Sequence, residues 1–270
     1  MCGTLLVVTK EVITNKTNWK VFTMTCILQD YRSDRCAGCD GLCQHKLIVQ
    51  GLTGDSGLAE EAGIPSRYKG VTVMTSEVRK DKPKLYGFVE RYVDTLKTYI
   101  KSGEKPRSLY LFSKSPGTGK TTTAVAILNA YISLNYLLKL KEGEQPEGDE
   151  AYFLDVNELQ TLYNKFNRPR IPEHIAESAS QEYYRRLEKA QEATFAVLDD
   201  IGVRSSTDGF TGDLHTVINH RMANEMVTVY TSNLEMKEMA MIFSERFYDR
   251  IREGTVSVPF SGESFRGIKQ

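Results

Sequence analysis

Lys120 and Thr121 close the run SKSPGTGKT, residues 113–121. Its spacing follows the phosphate-loop pattern G-x-x-x-x-G-K-[ST], except that Lys114 stands where the first glycine belongs. The chemistry of such a loop is phosphate binding. Across Pro116, Gly117, Thr118 and Gly119 the backbone N–H groups turn inward on the anion, in conformations that a side chain at either glycine would obstruct. Lys120 then reaches the β- and γ-phosphates, the Thr121 hydroxyl ligates Mg²⁺, and Thr122 follows on the first helical turn. Lys114 carries a cost only if its position needs a positive φ. An ordinary glycine turn between a strand and a helix is the alternative.

The elements that must position this loop are legible around it. Leu109, Tyr110, Leu111 and Phe112 form a short apolar run suited to a buried strand; beyond Lys120, Ala124, Ile127, Leu128, Tyr131, Leu134 and Leu138 recur at helical spacing. A helix beginning at the loop adds its dipole to the same anion. Further along, the apolar run TFAVLDD ends in Asp199 and Asp200, two carboxylates at the end of a strand, where open α/β sheets hold ligands. Asp199 is placed to hold Mg²⁺ and Asp200 to orient or deprotonate an attacking water. Many ATPases carry glutamate at the second position; the shorter aspartate predicts slow basal hydrolysis. A solvated strand end is the alternative. VTVYTSN puts Thr231, Ser232 and Asn233 at the end of another strand, where Asn233 can meet the γ-phosphate or its water, and any of the three can cap a helix. SERFYDRIREG sets Arg246 and Arg250 four residues apart on one helix face, suited to surface ion pairs or to a more specific role.

The whole chain bounds these readings. Its 270 residues suffice for one α/β domain with an accessory module, and 35 basic residues balance 35 acidic ones, so no global positive field draws it to nucleic acid. Five cysteines without an amino-terminal apolar signal point to a reducing, cytoplasmic setting. No apolar run is expected to reach the roughly 18 residues that a membrane span needs. The expected organisation is a cysteine-rich module at 1–60 that ends in a glycine-rich linker near 51–63, GLTGDSGLAEEAGIP, followed by an ATPase domain at 61–270. KLYGFVERYVDTLKTYIKSG predicts an amphipathic helix that stops at Gly103. From Leu109 on, LYLF, AYFLDV, TFAVLDD, VTVYTSN and TVSVPF alternate with helical patterns, the rhythm of a parallel five-stranded sheet covered by helices.

In this order the motifs resemble the helicase-loader branch of the AAA+ ATPases, the DnaC/DnaI type. The resemblance runs over about residues 60 to 270 and is carried by IPSRYKG, SPGTGKTTT, FLDVNELQTLYN, FAVLDDIGVR, DLHTVINHR, TSN, ERFYDRI and GESFRG. It implies a P-loop AAA+ core with the lid absent or reduced, since only ten residues follow TVSVPF. It makes ATP and Mg²⁺ the cofactors, Asn233 the sensor of the γ-phosphate, Arg250 an arginine finger for a neighbouring subunit, and Arg266 a second sensor. It places Ile64 and Tyr68 near the adenine and Arg221 toward the same subunit junction. Its implied partners are a replicative hexameric helicase, single-stranded DNA and further copies of the chain, with no membrane. A transposition helper of the IstB type and a nucleotide-switched adaptor with little hydrolysis are the rivals. Departures from the family pattern are Lys114 and Asp200.

Two local patterns add to this. Between the second and third core strands, Tyr163, Lys165, Phe166, Arg168 and Arg170, then Tyr183, Tyr184, Arg185 and Arg186, interleave rings with cations as single-strand binders do. Tyr163 and Phe166 also fall on the core face of a helix, the favoured reading for those two. In CAGCDGLCQH, Cys36, Cys39, Cys43 and His45 form a compact candidate Zn²⁺ set, with Cys26 as the alternative fourth ligand or a buried thiol. The DnaI-type resemblance implies a zinc module here that touches the helicase.

Overall fold

Two strands open the chain, β1 (Leu5–Ile13) and β2 (Lys16–Met24), paired antiparallel with Leu5 opposite Met24. This computed structural model describes all residues but 1–4, 14–15, 33–42, 52–55, 146–147, 203–206, 242, 263 and 265–270, with side chains from Thr25 onward except Arg246, Phe247 and Arg250. Three short helices follow, α1 (Gln44–Gln50), α2 (Leu58–Glu61) and α3 (Val78–Asp81). The amphipathic segment then forms α4 (Pro83–Ser102), begun by a proline in its first turn and stopped by Gly103 in the left-handed region.

From Ser108 the alternation holds to the end: β3 (Ser108–Phe112), α5 (Lys120–Glu142), β4 (Ala151–Asp155), α6 (Val156–Phe166), α7 (Glu173–Glu192), β5 (Phe195–Asp199), α8 (Asp208–Ala223), β6 (Val227–Ser232), α9 (Glu245–Gly254) and β7 (Thr255–Pro259). The five core strands are all parallel in the order β4-β5-β6-β3-β7. Alternate residues separate two apolar layers. Leu109, Leu111, Phe195, Val197 and Val229 face the cluster of α4 and α5, while Tyr110, Leu198 and Tyr230 face that of α7 and α8. Strands β3 to β6 are buried on both sides over most of their length, which explains their near-continuous apolar runs, whereas the edge strand β7 exposes Ser257 and Pro259.

The stretch expected to act as a linker does not run free. Ala59 and Ala62 are fully buried and Ile64 nearly so, and Phe153 of the edge strand β4 donates its N–H to the Ala62 carbonyl at 2.7 Å. Gly63 makes that approach feasible: its φ is +71°, and a Cβ there would lie 3.0 Å from the Phe153 oxygen. Ile27, Leu28 and Val49 from further upstream lie in the same apolar cluster as α5. Its alanines pack closely, and Gly51, Gly57 and Gly63 all have positive φ, as turns require.

One expectation about apolar length also needs correcting. Helix α5 is long and apolar enough to cross a membrane by composition, but 78% of its most apolar window is buried inside the fold, which identifies it as the central core helix.

Candidate nucleotide-binding site

Strand β3 delivers the chain to the phosphate loop, and α5 starts at Lys120 with Gly119 before it. Gly117 and Gly119 have φ of +76° and +95°, as a loop of inward-turned N–H groups requires. Gly119 is also bare because Val78 of α3 packs on it: a Cβ would fall 2.5 Å from a Val78 methyl. Lys114 is not among the residues with positive φ, so the missing glycine costs the loop no strain. Its ammonium pairs with Glu235 at 3.1 Å, at a side chain 71% exposed. Hydrogen bonds from Lys237 and Lys114 hold the Glu235 carboxyl below its usual range.

Strand β6 lies between β3 and β5 and brings three neighbouring polar residues to three different tasks. Thr231 donates its hydroxyl to Asp199 Oδ1 at 2.6 Å and accepts from the Asp200 N–H at 2.9 Å. Ser232 caps the next turn, accepting from the Leu234 N–H and donating to the Ile201 carbonyl. Asn233 turns to the loop, where its Oδ1 accepts from Lys120 Nζ at 2.7 Å. Of the capping reading, open for all three from sequence, Ser232 takes the turn, while Asn233, the residue expected to meet phosphate, lies against Lys120.

The Thr121 hydroxyl donates to Asp199 Oδ2 at 3.1 Å, so the two candidate Mg²⁺ ligands are adjacent. Asp199 is 4% exposed, and burial, reinforced by the charges of Asp200 and Asp155, pushes its pKa up to about 7 against the hydrogen bonds of Thr231 and Thr121. Asp200 has φ of +59°, a left-handed conformation that aspartate tolerates, and Asn157 of α6 donates to its Oδ2 at 3.3 Å. Asp155, opposite Asp199 in the β4–β5 register, caps α6 by accepting from the N–H groups of Asn157 and Glu158. Burial raises its pKa too.

A cavity of about 430 Å³ opens over the loop. Pro116 to Thr122, Asp200 and Asn233 form its phosphate end; Arg67, Tyr68, Val71 and residues 75–78 form the other wall. The Arg67 guanidinium sits 4.4 Å over the Tyr68 ring. Tyr68 lines this wall of the cavity, whereas Ile64, expected beside it, is 2% exposed in the core and does not line the cavity. Sequence reading missed Arg67, Ser76, Glu77 and Val78, although IPSRYKG beside them was the available signal.

Other expected residues fall elsewhere. Arg221 does not reach a surface. It is fully buried and donates to the carbonyls of Ala190, Gln191, Ala193 and Val227 and to Thr228 Oγ1, and burial pushes its pKa down to about 10. Arg250 lies on α9, its side chain outside the described residues, as is all of Arg266. Tyr163 meets Phe166 and Phe210 edge-on, and Phe166 meets Tyr183 edge-on; Tyr163 and Phe166 are half-buried against the second apolar layer, in line with the core reading of these two. Arg185 and Arg186 both bond Glu182, and Arg186 also bonds Glu158, whereas Tyr184, Lys165, Arg168 and Arg170 are exposed. Cys36 and Cys39 lie outside the described residues. Cys26 and Cys43 are buried, and His45 Nδ1 meets the Tyr136 hydroxyl at 2.7 Å. No group of three or more metal-ligating side chains occurs among the described residues.

A nucleotide with Mg²⁺ fits this arrangement. The loop glycines have the needed φ, Thr118 Oγ1 is buried there without a hydrogen-bond partner, and Thr121 with Asp199 supplies the hard oxygens that Mg²⁺ prefers. Fold and site together define an α/β protein with a parallel five-stranded sheet and a phosphate-type loop at the start of its central helix.

The comparisons with known proteins narrow this. The chain is similar to the replicative helicase loader DnaC of Escherichia coli K12, with 24% identity over 169 residues, 62% of this chain and 60% of that protein. DnaC of Buchnera aphidicola (subsp. Baizongia pistaciae) is 24% identical over 179 residues, 66% of this chain and 64% of that protein. The chain thus spans under two thirds of the length of these curated relatives. The crystal structure of DnaI superposes with a TM-score of 0.50 at 19% identity, covering 75% of this chain and 94% of that one, a likeness of fold. No protein-family model matches. The resemblance to DnaC-like AAA+ loaders read from the motifs therefore holds at the level of sequence and fold.

Proposed function

We propose that this chain is an ATP-dependent helicase loader, which binds a replicative hexameric helicase and delivers it to single-stranded DNA. The observation that carries the ATPase part is the convergence of Lys120, Thr121, Asn233 and Asp200 on one cavity, with buried Asp199 hydrogen-bonded to Thr121 behind it. The similarity to DnaC supports the loader part. Bound Mg²⁺ supplies charge neutralisation at the phosphates. Thr121 and Asp199 hold it, Lys120 binds the phosphates, and Asp200 orients the attacking water. Asn233, already in contact with Lys120, senses the γ-phosphate, and Arg250 acts on a neighbouring subunit's nucleotide, which makes assembly of several copies part of the reading.

Residues 1–60 are proposed to carry the helicase contact and 61–270 the ATPase. A Zn²⁺ ion held by Cys36, Cys39 and Cys43 with His45 or Cys26 belongs to the same proposal. The Tyr136 contact supports His45, because a metal-ligating histidine is ordinarily fixed through its other ring nitrogen. The exposed Tyr184, Lys165, Arg168 and Arg170 on and between α6 and α7 support a single-stranded DNA surface there.

The test is ATP turnover of the full chain with and without single-stranded DNA. The expected result is slow basal hydrolysis, changed by DNA and abolished in Lys120→Ala. Tight ATP binding with no turnover under either condition would favour the nucleotide-switched adaptor.

A further inference from the structure

The base-side wall of the cavity is a short irregular segment, and irregular backbone keeps its shape only where its polar groups are held. Three of its carbonyls are held by side-chain amides. Asn129 of α5 donates from Nδ2 to the Tyr68 carbonyl at 3.1 Å and to the Val71 carbonyl at 2.8 Å. Gln50, the last residue of α1, donates from Nε2 to the Lys69 carbonyl at 2.9 Å.

Gln50 is fully buried, and the rest of its carboxamide faces the amino-terminal segment. Nε2 also donates to the Thr25 carbonyl at 3.1 Å, and Oε1 accepts from the Ile27 N–H at 3.1 Å. One acceptor and two donors meet one N–H and two carbonyls, so the amide has a single satisfying orientation. Thr25 directly follows β2. One side chain thus joins the end of the first hairpin to the wall beside Tyr68.

Resting on the nucleotide reading above, we infer that Gln50 is a positioning residue that fixes the base-side wall and links nucleotide binding to order at residues 25–27. Through it, whatever docks on the amino-terminal strands and whatever fills the cavity influence each other reciprocally, as linkage requires.

The experiment compares two probes on the full chain and on Gln50→Met: ADP, which has a base, and inorganic tripolyphosphate, which has none. Removing the Gln50 hydrogen bonds to the Ile27 N–H and to the Thr25 and Lys69 carbonyls should weaken ADP binding about tenfold while tripolyphosphate binding stays unchanged. In the wild-type chain, ADP should slow hydrogen exchange at the Ile27 amide and tripolyphosphate should not. Wild-type ADP affinity in Gln50→Met, or equal loss for both probes, overturns the inference. If the variant does not fold, the wild-type exchange decides: an Ile27 rate that is the same with either probe overturns it. A wild-type chain that binds neither probe would sink the nucleotide site itself, and this inference with it.

Discussion

Asp199 is a carboxyl group with almost no water around it. Its pKa of about 7 in the fold stands above the ordinary 3.8, so the folded chain holds this proton more tightly than the unfolded one. The stability it contributes is full below about pH 4 and is lost as pH rises through 7. Asp199→Asn should therefore raise the melting temperature of the Mg²⁺-free protein at pH 8 and change it little at pH 4. Equal shifts at both values would show that the carboxyl is not held protonated. What sequence made legible at this scale was type and spacing: Lys120, Thr121, Asp199, Asp200 and Asn233 were all readable. Thr231 was not read as the holder of Asp199, because that contact crosses from one strand to another 32 residues away. The cost of Lys114 was likewise unreadable, since it depends on a backbone angle that no pattern encodes.

At the scale of elements, β6 is the informative strand. Chain order would place β4 or β5 beside β3, yet β6 enters between them, which is why Asn233 reaches Lys120 and Thr231 reaches the carboxylates. Strand existence was legible from apolar runs; strand order was not, because it is set by how crossovers pack. Arg221 shows the same limit. The family resemblance implied a junction residue, whereas the fold uses it to tie the turn before β5 to the start of β6. Arg221→Met should leave four carbonyls short of a donor and destabilise the fold by about 3 kcal/mol or more. Chemical denaturation checks this; a variant of unchanged stability that fails to assemble would return Arg221 to the junction.

Over the whole molecule, the amino-terminal part and the parallel-sheet core share one apolar layer. A fragment starting at residue 61 loses Ile27, Leu28, Val49 and Ala59 from that layer, so it should melt at a lower temperature and bind ADP more weakly than the full chain. Undiminished stability of this fragment would show that the layer closes without them. The separation of the candidate zinc ligands from the candidate ATP residues in sequence had suggested independence; small buried residues in the glycine-rich stretch carried the opposite signal, which composition alone masks. Assembly gives a further test, since Arg250→Ala should bind ATP yet turn over poorly. Mixed with Lys120→Ala it should regain part of its turnover, and no regain in demonstrably mixed assemblies would count against a finger acting between subunits.

The most direct test of the loader reading is transfer of a purified hexameric replicative helicase onto circular single-stranded DNA, measured with the wild-type chain and with Lys120→Ala, each with ATP. The account predicts helicase bound to the DNA circle with the wild-type chain and little with Lys120→Ala. Equal transfer by both, or no association of the helicase with either, would contradict it.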